Sequence, residues 1–404
     1  MKILQISQKI PFPPLDGGSI VINSLTSGLL KAGHSVKMLC MTSPKRAVDP
    51  KTISLAYRNS VSLETVPIDT QLKIWPALKN LIFDKESYHT VRFKSPKFAK
   101  KLKTVLQNES FDIIQMESIF VSGYLNVIKK YSKAKIVLRT QNVEHIIWEG
   151  ITENEENIFK KAYLKIMTRR LKSYEIAQFK SMNAIVPVTE VDATITRKYL
   201  PATIRVKAIP FSFVAKKMEV KDSQADVKSG TIFHLGSMDW FPNLEAVRWF
   251  LEKVWEPFDL DERSTLCLAG KFMPADILKK ADENLIVEGS ISDPVGYMSD
   301  KEIMVVPLLS GSGIRVKIIE GMAMGKVVIS TTLGAKGIDC EHQKNILIAD
   351  TPQAFYNAII DCINHPERCE SIRQEARILA NEKYNEQLIT QRFIDFYNEQ
   401  LLEN

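Results

Sequence analysis

Residues 304–334, MVVPLLSGSGIRVKIIEGMAMGKVVISTTLG, gather anion-binding chemistry in one strand–loop–helix unit. An apolar run ends at Pro307, and Ser310, Gly311, Ser312 and Gly313 form a short loop after it. The spacing predicts a helix from about Ile314 to Met324, with Gly325 as its stop. Small residues ahead of a helix N-terminus let backbone N–H groups approach phosphate oxygens. Arg315 and Lys317 fall in the first turn, where a cation opposes the helix dipole unless an anion sits nearby. Glu320, further along the same helix, can accept hydrogen bonds from sugar hydroxyls; a surface ion pair with Arg315 or Lys317 is the alternative.

A second loop, residues 11–19, holds Gly17 and Gly18 side by side between an apolar run and a helical pattern. It also suits close approach of an anion to a helix N-terminus, or is simply a tight turn. It is neither a GxGxxG dinucleotide fingerprint nor a Walker A loop. A third polar set, Arg139, Gln141, Asn142 and Glu144, follows the apolar run 135–139. Local capping of a helix beginning near Glu144 is one reading of this set.

Two series of alternating strand and helix patterns must position these loops. Strands are predicted at 2–7, 35–41, 111–116, 135–139 and 184–188, then at 231–235, 264–269, 284–287, 302–307 and 326–330. Residues 19–32 carry apolar positions at helical spacing, and Gly33 ends them. Such alternation predicts α/β domains with parallel sheets. The polar stretch 215–230 reads as a linker. The expected organisation is a Rossmann-like domain over 1–214, a second over 231–385 and a C-terminal helix over 386–404 that packs back on the first. The two doubly wound domains face one another across a cleft, where open α/β sheets bind ligands.

The chain has 404 residues, 45% hydrophobic and 25% charged, which excludes disordered and fibrous classes. Its net charge of +7 divides unevenly: residues 1–215 carry +16 and the remainder −9. Two basic stretches, 92–103 and 160–172, interleave Lys and Arg with apolar residues and suit an anionic lipid surface or a solvated face. No nucleic-acid motif accompanies them, and no nucleic-acid partner is expected. No apolar run is long enough to span a membrane, and the N-terminus does not read as a signal peptide. Five scattered cysteines without metal spacing point to a reducing cytoplasm. The six histidines show no metal-ligand spacing and read as structural. A DxD motif is absent, so no metal and no cofactor is expected.

SGSGIRVKIIEGMAMGKVVISTTLGAKGI resembles the C-terminal signature of retaining glycosyltransferases of family 4, which have the GT-B fold. The resemblance runs over nearly the whole chain, through Gly17-Gly18, Ala32-Gly33-His34-Ser35-Val36, Phe111-Asp112-Ile113-Ile114 and Val186-Pro187-Val188-Thr189-Glu190. It continues through Phe233–Trp240 at the opening of the second domain and Gly289-Ser290-Ile291-Ser292-Asp293 near the expected nucleotide base. There are departures. The first Glu of the family's Glu pair falls on Ser312, counting back from Glu320. The family's Arg and Lys after the first strand of the second domain fall near Ser237 and Pro242. Its N-terminal-domain His is replaced by Gln141, and its NG turn by Phe211-Ser212-Phe213-Val214.

The resemblance implies a retaining, metal-independent glycosyltransferase acting on a nucleotide-diphosphate sugar. It implies a glycan or polyprenyl-diphosphate-linked acceptor, in cell-surface polysaccharide or lipopolysaccharide synthesis at the inner face of a membrane. The catalytic set is then Glu320, Arg315, Asn142 and Glu144. In place of local capping, the resemblance implies that Asn142 and Glu144 meet a sugar and Arg139 a phosphate. Gly17, Gly18, Ser237, Ser310, Gly311, Ser312, Gly313, Ile314 and Lys317 bind the donor phosphates, with Arg315 and Lys317 replacing the missing cation pair. Gly289, Ser290 and Gln141 face the base and sugar. A nucleotide-sugar epimerase of the same fold and a non-catalytic sugar-nucleotide-binding protein are the alternatives.

Overall fold

The computed structural model describes residues 1–14, 16–43, 52–213, 227–258, 264–311 and 313–402. Of the segment read as a linker, residues 215–226 lie outside the described residues, as does Ser312. The chain divides into two compact units: Met1–Phe211 with Ile389–Asn404, and Ser212–Leu388.

The first unit is built on a parallel sheet of β1 (Lys2–Ser7), β2 (Ser35–Thr42), β3 (Glu64–Pro67), β4 (Ile113–Met116), β5 (Lys135–Thr140), β6 (Ala184–Pro187) and β7 (Arg205–Val206). The strands lie in the order β3-β2-β1-β4-β5-β6-β7. Side chains alternate across a strand, so each strand feeds two cores. Leu4 and Ile6 of β1 join Leu39, Ile114 and Leu138 on one face. Ile3 joins Val36, Ile113 and Val137 on the other. That second core also takes Ile389, Phe393, Phe396 and Tyr397 of the last helix, Glu386–Tyr397, so the chain end belongs to this unit from Ile389 on.

The second unit holds β8 (Thr231–Leu235), β9 (Thr265–Ala269), β10 (Leu285–Glu288), β11 (Ile303–Val306), β12 (Val327–Ser330) and β13 (Leu347–Ile348) in the order β10-β9-β8-β11-β12-β13. Every strand pairing is parallel. Ile232, Leu266, Ile303, Val305 and Ile329 form the sheet side of its core, against Val247, Phe250 and Phe355 from helices.

Both orders reverse after the first strand, between β1 and β4 and between β8 and β11. These are the switch points beside which doubly wound folds place ligands. Three edge or terminal strands, β3, β7 and β13, are two to four residues long and lack a readable apolar pattern.

At the carboxyl ends of β8 and β9 the backbone closes tightly. A Cβ on Gly270, at φ +154°, would lie 1.7 Å from the carbonyl oxygen of Gly236. Gly236 N–H in turn donates to Ala269 O at 3.0 Å. Gly270→Ala should therefore lower stability by about 1–3 kcal/mol, read as a lower urea midpoint. A midpoint equal to the parent's contradicts this packing.

Candidate functional site

The helix after β11 starts at Val316 and ends at Ala323. Arg315 is its N-cap residue, with φ −87° and ψ 93°, and not part of the first turn as the spacing suggests. Ahead of it Gly311 and Gly313 sit at φ +105° and +80°, a region that favours glycine. A Cβ on Gly311 would meet Trp240 and Pro242 at 3.1 and 3.2 Å. The loop thus folds onto the segment that follows β8.

Lys317, in the first turn of that helix, sends its ammonium to the end of β8. Its Nζ donates to Leu235 O at 3.1 Å, to Asn243 Oδ1 at 2.9 Å and to His234 Nε2 at 3.2 Å. The tautomer of His234 follows from its other nitrogen, Nδ1, which lies 2.9 Å from Val305 O. A carbonyl oxygen only accepts, so Nδ1 carries the proton and Nε2 is left as an acceptor. Burial, and then Lys317, hold the His234 pKa well below its ordinary value, which keeps the ring neutral.

All three acceptors of Lys317 are neutral, and among the described residues it has no carboxylate partner. Burial and the nearby Arg315 push its pKa down to about 7. The Arg315 guanidinium donates to Gly313 O and lies 5.4 Å from the Trp240 ring centroid, and burial pushes its pKa down to about 10. Two cations thus stand beside a helix N-terminus, where the dipole opposes them, in a chain half that is acidic overall.

The flanking residues converge on the same place. Ser237 O accepts from Asn243 Nδ2 at 3.0 Å, so the residue expected to carry a family cation is linked to Lys317 through Asn243. Ser310 Oγ donates to Glu245 at 2.6 Å. Ile314 and Glu320 are half-buried, with Glu320 one turn beyond Lys317. Gly289 and Ser290 are exposed just past β10, and Gly289 O accepts the Gly270 N–H at 3.0 Å.

In the first unit, Gly17 and Gly18 open the helix Gly17–Lys31. The carboxylate of the preceding Asp16 already accepts the Ser19 N–H at 2.9 Å and is paired with Lys9. This N-terminus therefore carries a built-in anion. Gln141 Nε2 lies 3.5 Å from Gly18 O, and a Cβ on Gly18 would sit 2.8 Å from Gln141 Oε1.

Arg139 does not reach a phosphate. It is 1% exposed and donates to Val21 O at 2.9 Å. Its guanidinium lies 3.7 Å from Glu117 and 5.1 Å from the Phe393 ring centroid, so it is part of the core. Nor does Asn142 cap the helix Glu144–Glu153, whose N-cap is Val143. The buried Glu175, from the helix Ile158–Phe179, takes the Glu144 and His145 N–H groups at 3.0 and 3.1 Å and His145 Nδ1 at 2.5 Å. Burial, and then the Glu175 charge, raise the Glu144 carboxyl to about 8, with the Asn142 side chain opposing. From this helix Trp148 meets the His89 ring, centroids 3.8 Å apart and tilted by 32°.

His234, Asn243 and Glu175 carry no readable sequence signal. Each acts across 30 or more residues of chain or as part of an ordinary helix, and only the folded register brings it in. Among the described residues no group of His, Cys, Asp and Glu is arranged to hold a metal ion.

Residues 229–365 match the family described as glycosyl transferases group 1. That match lies within the second unit. Over 405 residues the chain is 22% identical to the "Uncharacterized 44.6 kDa protein in cps region" of Klebsiella pneumoniae, covering 95% of this chain and 96% of that protein. Sucrose-phosphate synthase from Thermosynechococcus elongatus superposes with a TM-score of 0.75 at 15% identity, over 100% of both chains. HepE of Anabaena, in complex with UDP-glucose, gives 0.69 at 14%, over 98% of this chain and 99% of that one. TarM gives 0.67 at 11%, over 98% and 99%. The chain has the GT-B fold.

The second unit places Lys317, Arg315, Ser237, Ser310, Gly311, Gly313 and Ile314 around the β8–β11 switch point. Gly17, Gly18, Gln141, Asn142 and Glu144 belong to the other unit. A carboxyl raised by folding holds its proton more tightly in the folded chain, so its contribution to stability is lost as pH rises through about 8. The urea midpoint of Glu144→Gln should therefore gain on the parent's from about pH 5 to about pH 9. Parallel pH profiles contradict the raised value.

Proposed function

We propose that the chain is a retaining, metal-independent glycosyltransferase that moves a sugar from a nucleotide-diphosphate sugar to a glycan or polyprenyl-diphosphate-linked acceptor. The observation that carries this is the Lys317 ammonium, held at the end of β8 by neutral acceptors alone. An enclosed cation of that kind awaits an anion. The group 1 glycosyltransferase match and the UDP-glucose bound to HepE favour a nucleotide diphosphate as that anion. The cps-region relative supports polysaccharide synthesis as the setting; in this proposal the acceptor is presented at the inner face of a membrane.

In this reading the helix N-terminus at Val316, Gly311, Gly313, Ser310, Ser312, Arg315 and Lys317 receive the diphosphate, and Glu320 receives the ribose hydroxyls. Charge grows on the diphosphate as the anomeric carbon–oxygen bond breaks, so cations already fixed there lower the barrier. The acceptor oxygen bonds to the anomeric carbon on the face the phosphate leaves, and the phosphate oxygen takes the acceptor's proton. No enzymic nucleophile is required. In the first unit Gln141, Asn142 and the protonated Glu144 offer hydrogen bonds to sugar hydroxyls. Incubation with donor alone separates transfer from epimerisation, which alters the donor without an acceptor.

UDP serves as the calorimetric probe. Lys317→Met should weaken UDP binding by about ten- to hundredfold, the loss of one hydrogen bond to a charged group. A lysine at about 7 in the free protein takes up a proton when a diphosphate binds, so affinity falls as pH rises above about 7. Buffers of different ionisation enthalpy should reveal that uptake at about pH 8 in the parent and none in Lys317→Met. Equal UDP affinities in the two proteins overturn the assignment.

A further inference from the structure

The helix Ile74–Phe83 is inside out. Its only buried residue is Asn80, whereas Ile74, Trp75, Ile82 and Phe83 are 72–82% exposed and Leu78 is 43% exposed. Ile74, Leu78 and Ile82 recur every four residues, with Trp75 beside them, so they form one apolar stripe. The helix is nonetheless anchored. Arg170 of the helix Ile158–Phe179 donates to the carbonyls of Asn80 and Leu81 at 3.1 and 3.0 Å, and Asn80 Nδ2 donates to Asp84 at 2.9 Å. A fixed helix that presents its apolar side to water requires something to cover it.

We infer that the helix Ile74–Phe83 docks the first unit onto an anionic lipid surface, with Ile74, Trp75, Leu78, Ile82 and Phe83 entering the headgroup boundary. Charge selects this occupant. Lys73, Lys79 and Lys85 flank the stripe and are exposed, and among the described residues Lys73 alone of the three has a carboxylate partner, Asp69 at 2.7 Å. Lys165 and Arg169 are exposed on the helix that holds it. Residues 1–215 carry a net +16, so pairing this face with a second copy brings like charges together, while anionic lipid neutralises them. At ten residues the helix is about 15 Å long, half the hydrocarbon thickness, so it lies in the interface plane rather than crossing it. Trp75 has the amphipathic ring that favours that depth. Among the described residues no helix is long and apolar enough to span a membrane.

The basic stretches that the sequence singles out contribute less. The helix Pro96–Asn108 buries Phe98, Leu102, Val105 and Leu106 and turns its lysines to water as an ordinary amphipathic helix. In the other stretch Lys160 pairs with Glu155 and Lys172 with Glu149.

This deepens the proposed membrane-presented acceptor and rests on it for the class of partner. Docking is measured without donor or acceptor, so its failure and the failure of sugar transfer are read apart. The test is co-sedimentation of the full chain with phosphatidylcholine vesicles, with and without phosphatidylglycerol. The parent should bind the anionic vesicles and release from them at high salt. Trp75→Ser/Ile82→Ser/Phe83→Ser should bind at least about tenfold more weakly, with an unchanged unfolding midpoint because these side chains already face water. Lys79→Glu/Lys85→Glu should weaken binding to anionic vesicles alone. Undiminished binding by the triple variant, or no binding by the parent, overturns the proposal. So does a concentration-dependent dimer that the triple variant abolishes, since a second copy then covers the stripe.

Discussion

Burying an ammonium group without a carboxylate beside it is costly unless each of its protons finds an acceptor. Lys317 meets that condition through Leu235 O, Asn243 Oδ1 and a histidine nitrogen held as an acceptor by Val305 O. Three elements must therefore be in register: the end of β8, the helix opened by Phe241 and the strand β11. Hydrogen bonds satisfy the protons but leave the charge, and Arg315 adds to it. The site is satisfied in its hydrogen bonds and uncompensated in its charge, which is why the proposed function assigns a diphosphate to it.

Much of the surrounding architecture can be understood as serving that register. Parallel pairing of β8 with β11 and β9 brings three strand ends together, and Gly236 and Gly270 let their loops touch. Gly311 folds the next loop against Trp240 and Pro242. The family resemblance expects its cations near Ser237 and Pro242, and neither residue carries charge. Lys317 reaches the same strand end from the opposite side of the switch point.

The doubly wound fold is legible in the sequence because buried parallel strands are near-continuous apolar runs, as in KILQIS and EIMVVP. β3, β7 and β13 are not: β7 and β13 are two residues long and β3, ETVP, has no apolar run, whereas the equally short edge strand β10 is read from Leu285-Ile286-Val287. The loop ahead of the helix Val316–Ala323 is legible from its glycines and the basic residues after it. The roles of His234, Asn243 and Glu175 are not, because each is defined by a partner 30 or more residues away. Arg139 shows the opposite failure. A basic residue at a strand end looks available for an anion, but its strand position faces the core, where Glu117 and Phe393 enclose it.

The central claim concerns where a diphosphate sits, and the structure of the UDP complex tests it most directly. The account predicts phosphate oxygens within hydrogen-bonding distance of Lys317 Nζ and the Gly313–Lys317 backbone, with the Lys317 ammonium drawn off at least one of its three neutral acceptors. UDP bound elsewhere, with Lys317 still on Leu235 O, His234 and Asn243, would contradict it.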